Sequence, residues 1–281
     1  MIRGFFWGLV FFGVAVLNAQ RISDRKLLRQ LHKIPQLNSA FTGVYVQQLG
    51  ETNPSAQHNA KRYLTPASNT KLLTFLGAVE TFSKLPALQY AYAADRTAHF
   101  KSTAYPLLLH PFYPDSTLLA FFKTHPSWVY HSANTAPKAL GPGWSWDDYS
   151  YYYAAPSSVF SIYGNSIRAV QGAEGPSFTP LFPAAADTLV QNVVRERFAN
   201  RFSYNPQKWN AQDTLYRPFI PSDSLFIKLL AKATNTEVVF AEEQTDSLTW
   251  KPLYTHQEET LYKGLLHDSD NGIAEALLLM I

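Results

Sequence analysis

The strongest constraint on the fold is a change of pattern along the chain. Apolar residues recur at helical spacing near both ends, in segments 65–82 and 257–281. The stretch between about 88 and 248 is instead rich in Tyr, Phe, Pro and Ser and contains short strand-like runs. This predicts a separate β-rich module between two helical segments. At 281 residues and 46 % hydrophobic content, the chain can bury a sizeable core.

Local patterns predict the order of the elements. Segment 24–36 has the periodicity of an amphipathic helix, and 41–48 alternates like a strand that could form a hairpin with the polar segment ending at Tyr63. Thr65 is a candidate N-cap and Pro66 a candidate first residue of a mostly apolar, and therefore buried, helix. Further helices are predicted in four windows, which are 185–198, 222–232, 257–266 and 272–281.

The N-terminus has the pattern of a secretory signal peptide. A cationic start containing Arg3 precedes an apolar run from Gly4 to Leu17, with a small residue, Ala19, at the expected cleavage point. The run of 14 residues is short for a bilayer span, so an uncleaved anchor is the less favoured alternative. We expect an exported protein, periplasmic or otherwise in the cell envelope or extracellular, without a stable membrane span.

Composition excludes several classes of function. The chain has no cysteine, which removes disulfides, thiolate metal sites and a cysteine nucleophile. Its 24 basic and 21 acidic residues are dispersed, and the absence of a basic run argues against nucleic-acid binding. The eight histidines show no metal-binding spacing, so we expect neither a metal nor another cofactor.

A candidate nucleophile and base occur at the start of the predicted buried helix. Ser68 and Lys71 are three residues apart, a spacing that places them on one helix face. Burial there would lower the pKa of Lys71, and a neutral lysine can activate a serine without histidine. Ser-x-x-Lys also arises by chance, and Ser23 with Lys26 is a second match in a charged, exposed-looking segment.

A rarer tripeptide, Ser269-Asp270-Asn271, lies between two predicted helices. Asp270 or Asn271 could simply cap the following helix, which does not exclude a catalytic role for the tripeptide. Ser-x-x-Lys followed by Ser-Asp-Asn is the motif order of penicillin-binding proteins and class A β-lactamases.

A third segment, Gly141–Tyr149, combines aromatic residues with Asp147 and Asp148. Three interpretations are open: a solvated acidic turn beside packed aromatic residues, a sugar-stacking platform, or a substrate clamp. The residues alone favour the first of these.

The segments Tyr63–Thr74, Gly141–Tyr149 and Ser269–Glu275 together resemble the D-alanyl-D-alanine carboxypeptidase/endopeptidase family of the PBP4 type, peptidase family S13. The resemblance runs from about residue 24 to the last residue. It implies an α/β (α+β) catalytic domain of the serine β-lactamase and penicillin-binding-protein type, with a large β-rich insertion between its first two motifs. The implied domains are a signal peptide at 1–19, catalytic segments at 20–88 and 249–281, and the insertion at 89–248.

The resemblance also implies roles for individual residues. Ser68 would be acylated by a peptidoglycan stem peptide, Lys71 would be its base, and Ser269 would relay the proton. Asn271 would hold the substrate amide. Asp148 would face the amine of the third stem-peptide residue, with Tyr153 nearby, and a carboxylate opposite an ammonium is physically sensible. β-Lactam antibiotics would be acylating inhibitors.

The chain departs from the family pattern in two places. Lys-Thr-Gly, the family's third motif, does not occur, and only twelve residues follow Ser269. We therefore expect a C-terminally truncated catalytic domain that is inactive or poorly folded in this form. The segment from His110 to Asp115 replaces a glycine-rich stretch of the family, so we expect the local geometry to depart from the family pattern there while the chemistry stays the same.

The leading functional hypothesis is a serine-type D-Ala-D-Ala carboxypeptidase, with possible endopeptidase activity on cross-links. A β-lactamase-like hydrolase with the same motifs is disfavoured by the 197 residues that separate Lys71 from Ser269. A non-catalytic cell-wall binding protein that uses the aromatic module is the alternative from a different functional class.

Overall fold

The computed structural model describes residues 22–133, 137–141, 143–210, 213–241 and 248–281. It divides into two compact units, Met1–Pro66 and Ala67–Ile281. The predicted signal peptide, 1–19, lies outside the described residues.

In the first unit a short helix and a hairpin confirm the sequence-based expectation. Helix α1 covers Asp24–Leu31, and strands β1, Val44–Val46, and β2, Ala56–His58, pair antiparallel. Ser23 is the N-cap of α1, where its hydroxyl accepts a hydrogen bond from the backbone N–H of Lys26. The second Ser-x-x-Lys match therefore has a local structural role.

Within the described residues, the second unit contains the other α-helices and the larger sheets. The helices are α2 (Lys71–Thr81), α3 (Ser116–Phe122), α4 (Asp223–Thr234), α5 (Glu258–Leu266) and α6 (Asn271–Met280). The strands of the largest sheet are β3 (Pro86–Tyr92), β4 (Ala98–Ser102) and β5 (Ser127–His131), together with Glu237–Phe240 and Lys251–Tyr254 near the end of the chain. The shorter strands between them are β6 (Ser166–Gly172), β7 (Gly175–Thr179), β8 (Ala184–Ala186), β9 (Val193–Arg195), β10 (Phe202–Tyr204) and β11 (Thr214–Pro218). The two strands of the largest sheet near the end of the chain are numbered β12 (Glu237–Phe240) and β13 (Lys251–Tyr254).

The largest sheet is mixed and has the strand order β12-β5-β4-β3-β13. Strands β12, β5 and β4 run parallel, whereas β3 pairs antiparallel with both β4 and β13. Two three-stranded sheets, β11-β6-β7 and β8-β10-β9, lie between β5 and α4 in the sequence. With the helices, these sheets give the second unit a mixed α/β fold of the predicted class.

Aromatic side chains form the core behind the five-stranded sheet. Phe100 on β4 is fully buried and contacts the rings of Phe122 on α3, Trp128 on β5 and Phe226 on α4. The indole N–H of Trp128 donates to the backbone carbonyl of Phe122 at 2.8 Å, so the buried polar atom is paired. Burial of each such side chain contributes about 1.5–3 kcal/mol to folding.

A second cluster is formed by three helices. The ring of Phe75 on α2 packs edge-on against Tyr262 on α5, at 5.0 Å between centroids. On α5, an added Cβ at Gly264 would lie 2.5 Å from a methyl carbon of Ile273 on α6. Glycine at this position therefore allows α5 and α6 to pack closely. This helical cluster carries the Ser-x-x-Lys motif at the start of α2 and the Ser-Asp-Asn motif before α6.

Two expectations about the first helical motif were wrong. The helical turn begins at Ser68, so Thr65 and Pro66 precede it and do not form its N-cap and first residue. Helix α2 is also less buried than its composition predicts, with Leu72 and Leu73 exposed by 59 % and 71 %. Apolar residues occur on all sides of this helix, but its two buried residues, Lys71 and Ala78, are seven positions apart and share one face.

The prediction of a helix at 185–198 was also wrong. The segment contains β8 and β9, both paired with β10. Its apolar residues fit a helical template, but tertiary pairing determines its conformation. The predicted helices at 222–232, 257–266 and 272–281 are confirmed by α4, α5 and α6.

The predicted joins of the insertion, near 88 and 248, fall within β3 and just before β13. These two strands pair with each other. The domain boundaries themselves stay a prediction.

Candidate active site

The candidate nucleophile lies in a tight helical turn. Ser68–Thr70 form a 3-10 turn that continues directly into α2. The side chain of Asn69 accepts a hydrogen bond from Ala67 N at 3.0 Å, and the Thr70 hydroxyl donates to Ala67 O at 3.0 Å. These bonds fix the turn, and Ser68 is exposed at the mouth of a groove.

Lys71 connects the two sequence motifs. Its Nζ lies 3.1 Å from Ser68 Oγ, within hydrogen-bonding distance. The same atom lies 3.3 Å from Ser269 Oγ and 2.5 Å from Asn271 Oδ1. One amine therefore joins side chains that are 198 and 200 positions away in the sequence. The structure brings together all four of the predicted catalytic residues.

Burial shifts the protonation equilibrium of Lys71 toward the neutral form. The side chain is only 7 % exposed, and this burial lowers the pKa of Lys71 below its usual value. The carboxylates of Asp270 and Glu275 act in the opposite direction but do not reverse the shift. A neutral amine can donate to Asn271 and Ser269 and still direct its lone pair at the Ser68 hydroxyl. In this state, Lys71 can accept a proton from Ser68.

Ser269 lies in a constrained turn between α5 and α6. Its φ of 56° is in the left-handed region, which is uncommon for residues other than glycine. The next residue, Asp270, donates its backbone N–H to Gly264 O at 3.0 Å, which ties the turn to the end of α5. This conformation places the Ser269 hydroxyl beside Lys71. Such strained residues occur often at functional sites.

Asp270 and Asn271 anchor the turn on its other side. Asp270 is the N-cap of α6, as the sequence allowed, and its Oδ1 accepts from Ile273 N at 2.9 Å. Asn271 directs its Nδ2 at the backbone carbonyl of Tyr153, 2.9 Å away. Because the same side chain also contacts Lys71, Asn271 links the Ser-Asp-Asn turn to the segment that carries Tyr153.

The predicted substrate-binding pair lies next to this link. Asp148 forms part of the 3-10 turn Trp146–Ser150, and Tyr153 follows in the turn Tyr152–Ala154. Partial desolvation raises the pKa of Tyr153, and its hydrogen bond with the Asp148 carboxylate adds to the shift. The ring of Tyr153 stacks on Tyr151, with 5.5 Å between centroids and an interplanar angle of 5°. Both rings are about half exposed.

An open groove of about 500 Å³ borders the candidate catalytic side chains. Its lining includes Ser68, Lys71 and Asn271, together with Thr74, Trp144 and Glu275, which were not predicted as site residues. Trp144 lies in the aromatic segment that was singled out in the sequence. Thr74 and Glu275 lie near the motifs on α2 and α6, so helix periodicity would have indicated their positions.

Within the described parts of the chain, no group of three or more histidine and acidic side chains is arranged to hold a metal ion. Among the same residues, no helix has the length and apolar character needed to cross a bilayer.

Comparison with known families gives a match over the first motif. Residues 24–91 match the D-Ala-D-Ala carboxypeptidase 3 (S13) family. This segment contains Ser68 and Lys71, whereas Ser269 and Asn271 lie beyond it. A comparison with curated protein sequences gives no match.

The fold matches solved structures over most of the chain. Penicillin binding protein 4 (dacB) from Haemophilus influenzae superposes with a TM-score of 0.56 at 18 % identity, over 84 % of this chain and 61 % of that one. A structure of the same protein complexed with a novel β-lactam (CMV) gives a TM-score of 0.45 at 15 % identity, over 79 % of this chain and 56 % of the other. The first of these matches shows that the chain has a penicillin-binding-protein-like fold, and the chain spans about three fifths of the length of that structure.

Proposed function

We propose that this chain, a relative of the D-Ala-D-Ala carboxypeptidase 3 (S13) family, is a serine-type D-Ala-D-Ala carboxypeptidase that forms an acyl-enzyme on Ser68. The observation that carries the proposal is the position of Lys71 Nζ, within 3.1 Å of Ser68 Oγ and 3.3 Å of Ser269 Oγ. A buried amine between these two hydroxyls can take the proton of Ser68 and pass it on through the Ser269 hydroxyl.

The first chemical step follows from this arrangement. Neutral Lys71 accepts the proton of Ser68 while Ser68 Oγ attacks the carbonyl carbon of the terminal peptide bond of a stem peptide. Ser68 begins its helical turn, where backbone N–H groups have no intrahelical acceptor and the dipole end is positive. These features stabilise negative charge on the carbonyl oxygen.

The second step releases terminal D-alanine. The proton held by Lys71 passes through the Ser269 hydroxyl to the leaving amine, the C–N bond breaks, and an ester to Ser68 remains. Water then attacks the ester carbonyl, which frees Ser68 and the shortened peptide. In this step Lys71 acts again as the base.

Substrate contacts are assigned to the two segments next to the catalytic residues. Asn271 Nδ2 has a second hydrogen and Oδ1 a second lone pair beyond their bonds to Tyr153 O and Lys71, so Asn271 can still bind the peptide amide. Asp148 would bind the amine of the third stem-peptide residue, beside Tyr153. Cross-linked peptides are candidate substrates for the same site, as are β-lactams, which acylate an activated serine.

Export to the periplasm or cell envelope would bring the protein to peptidoglycan, and the signal-peptide pattern at 1–19 supports such export.

The test is release of D-alanine from a synthetic stem pentapeptide by the product of the complete reading frame, since these 281 residues contain no Lys-Thr-Gly motif and are expected to be inactive by themselves. We expect release by the wild type and its loss in Ser68→Ala, a substitution at an exposed position that leaves folding intact. Ser23→Ala is the matched control, because it alters the other Ser-x-x-Lys serine and removes only the cap of α1. Equal release by Ser68→Ala and wild type would refute the proposal.

A further inference from the structure

A buried polar network surrounds Asp270, the middle residue of the Ser-Asp-Asn turn. Asp270 is 7 % exposed and uses only one carboxylate oxygen, Oδ1, to cap α6. Its other oxygen, Oδ2, accepts a hydrogen bond from the Tyr152 hydroxyl at 2.7 Å. A buried carboxylate oxygen without a donor would be strongly destabilising, so this bond stabilises the observed side-chain orientation.

The network continues from Tyr152 to His110. His110 Nε2 lies 3.2 Å from the Tyr152 hydroxyl oxygen and 3.8 Å from Asp270 Oδ2. The first distance permits a hydrogen bond and the second does not. His110 therefore acts on Asp270 through Tyr152.

The protonation of His110 follows from its other contacts. Its Nδ1 lies 3.3 Å from the backbone N–H groups of Phe112 and Tyr113 and accepts from them. The neutral ring consequently carries its hydrogen on Nε2, which donates to Tyr152. The side chain is 3 % exposed, and this burial lowers the pKa of His110 to about 4, so the ring is neutral at physiological pH.

We propose that His110 and Tyr152 are positioning residues for the Ser-Asp-Asn turn, holding Asp270 so that Ser269 Oγ and Asn271 Oδ1 meet Lys71 Nζ. The inference rests on the proposed function for its catalytic consequence. The directed chain runs from His110 Nε2–H to Tyr152, from the Tyr152 hydroxyl to Asp270 Oδ2, and through Asp270 Oδ1 to the start of α6. Asp270 lies directly between the two residues that contact Lys71, so a rotation of its side chain would displace both.

The packing around His110 fits this role. The ring stacks on Tyr113, with 5.4 Å between centroids. An added Cβ at Gly164, where φ is +57°, would lie 3.3 Å from a carbon of the imidazole. The ring therefore has little room to turn, and a fixed imidazole can hold the Tyr152 hydroxyl in one direction.

Two substitutions of His110 separate positioning from a purely local role. The amide nitrogen of His110→Gln stands near the position of Nε2 and can still donate to Tyr152. The amide oxygen of His110→Asn stands near Nδ1 and retains only the bonds to the backbone of the 110–113 turn. We expect the rate of acylation by a fluorescent penicillin to stay within about threefold of wild type for His110→Gln and to fall about 10–100-fold for His110→Asn and Tyr152→Phe.

Tyr113→Phe is the matched control, since it removes a tyrosine hydroxyl that bonds to Asp268, outside the chain that leads to Asp270. Its acylation rate should stay within about twofold of wild type. An unchanged acylation rate in Tyr152→Phe would overturn the proposal. So would a normal acylation rate in His110→Asn together with a strongly reduced rate in His110→Gln.

Hydrogen exchange provides a readout that does not depend on activity. We expect the backbone amides of 271–275 to exchange faster in Tyr152→Phe than in wild type, while those of α2 are unchanged. Unaltered exchange at 271–275 would overturn the positioning role. If wild type fails to react with penicillin but exchange changes as expected, the proposed function fails and the positioning role stands.

Discussion

Phe100 and Lys71 are both buried in the second unit, but their surroundings are opposite in kind. Phe100 is enclosed by aromatic rings from the sheet, α3 and α4. Lys71 is enclosed by polar groups from two segments far apart in the sequence, and its burial lowers its own pKa. Under the proposed function, the aromatic core provides stability, whereas the polar cluster provides reactivity at the expense of stability.

The largest effect is expected when the polar cluster loses its amine. Lys71→Met keeps the length and apolar stem of the side chain but removes the base, so we expect the rate of acylation by penicillin to fall about 10⁴-fold. The free energy of unfolding should stay similar or rise, because a desolvated amine is removed. Stopped-flow acylation and urea unfolding measure the two quantities. A normal acylation rate in this variant would remove Lys71 from the mechanism.

The lowered pKa of Lys71 also predicts a pH profile. The acylation rate of wild type should rise with pH as Lys71 loses its proton, and the midpoint should lie below 10.5, the ordinary lysine value. Lys71→Met should lack this titration.

The next largest effect concerns the aromatic core. Phe100→Ala removes a fully buried ring and leaves a cavity among Phe122, Trp128 and Phe226, so we expect a loss of about 3–5 kcal/mol in the free energy of unfolding. Acylation by the folded fraction should remain within about twofold of wild type. A large acylation defect in folded Phe100→Ala would show that the two regions are not separable in this way.

A smaller effect is expected at low pH, where protonation of His110 in the polar network should lower the free energy of unfolding. Buried His110, which faces Asp270, Tyr152 and Tyr113, has a pKa of about 4, below the ordinary value of 6.5. Between these pH values the unfolded chain binds the proton more tightly than the folded protein does. The stability linked to His110 is therefore fully present above pH 6.5 and is lost as the pH falls toward 4. We expect this group to account for a loss of about 3 kcal/mol in the free energy of unfolding.

His110→Gln should lack this part of the pH dependence, as measured by urea unfolding at pH 7 and pH 4. An identical loss in both proteins would assign the acid sensitivity to other groups.

The sequence predicted elements whose conformation is decided locally. Helices α4, α5 and α6 appear where apolar periodicity indicated them, and Asp270 caps α6 as its position suggested. The segment 185–198 was predicted wrongly because its conformation depends on pairing with β10, a partner that periodicity does not reveal.

The candidate site was predictable where it consists of motifs. Ser68, Lys71, Ser269 and Asn271 were named from the sequence, and the structure brings them together, although their catalytic roles stay predictions. His110 and Tyr152 were missed as parts of the site. The bonds that join Tyr152 to His110 and Asp270 connect positions 42 and 118 residues apart, and no local pattern indicates such contacts.

The most direct test of the central claim is the location of a covalent adduct. The full-length protein is treated with a penicillin, digested, and analysed by peptide mass spectrometry. The account predicts one penicilloyl group on the peptide that contains Ser68, absent when Ser68→Ala is treated in the same way. An adduct confined to another serine, or no adduct on folded wild type, would contradict it.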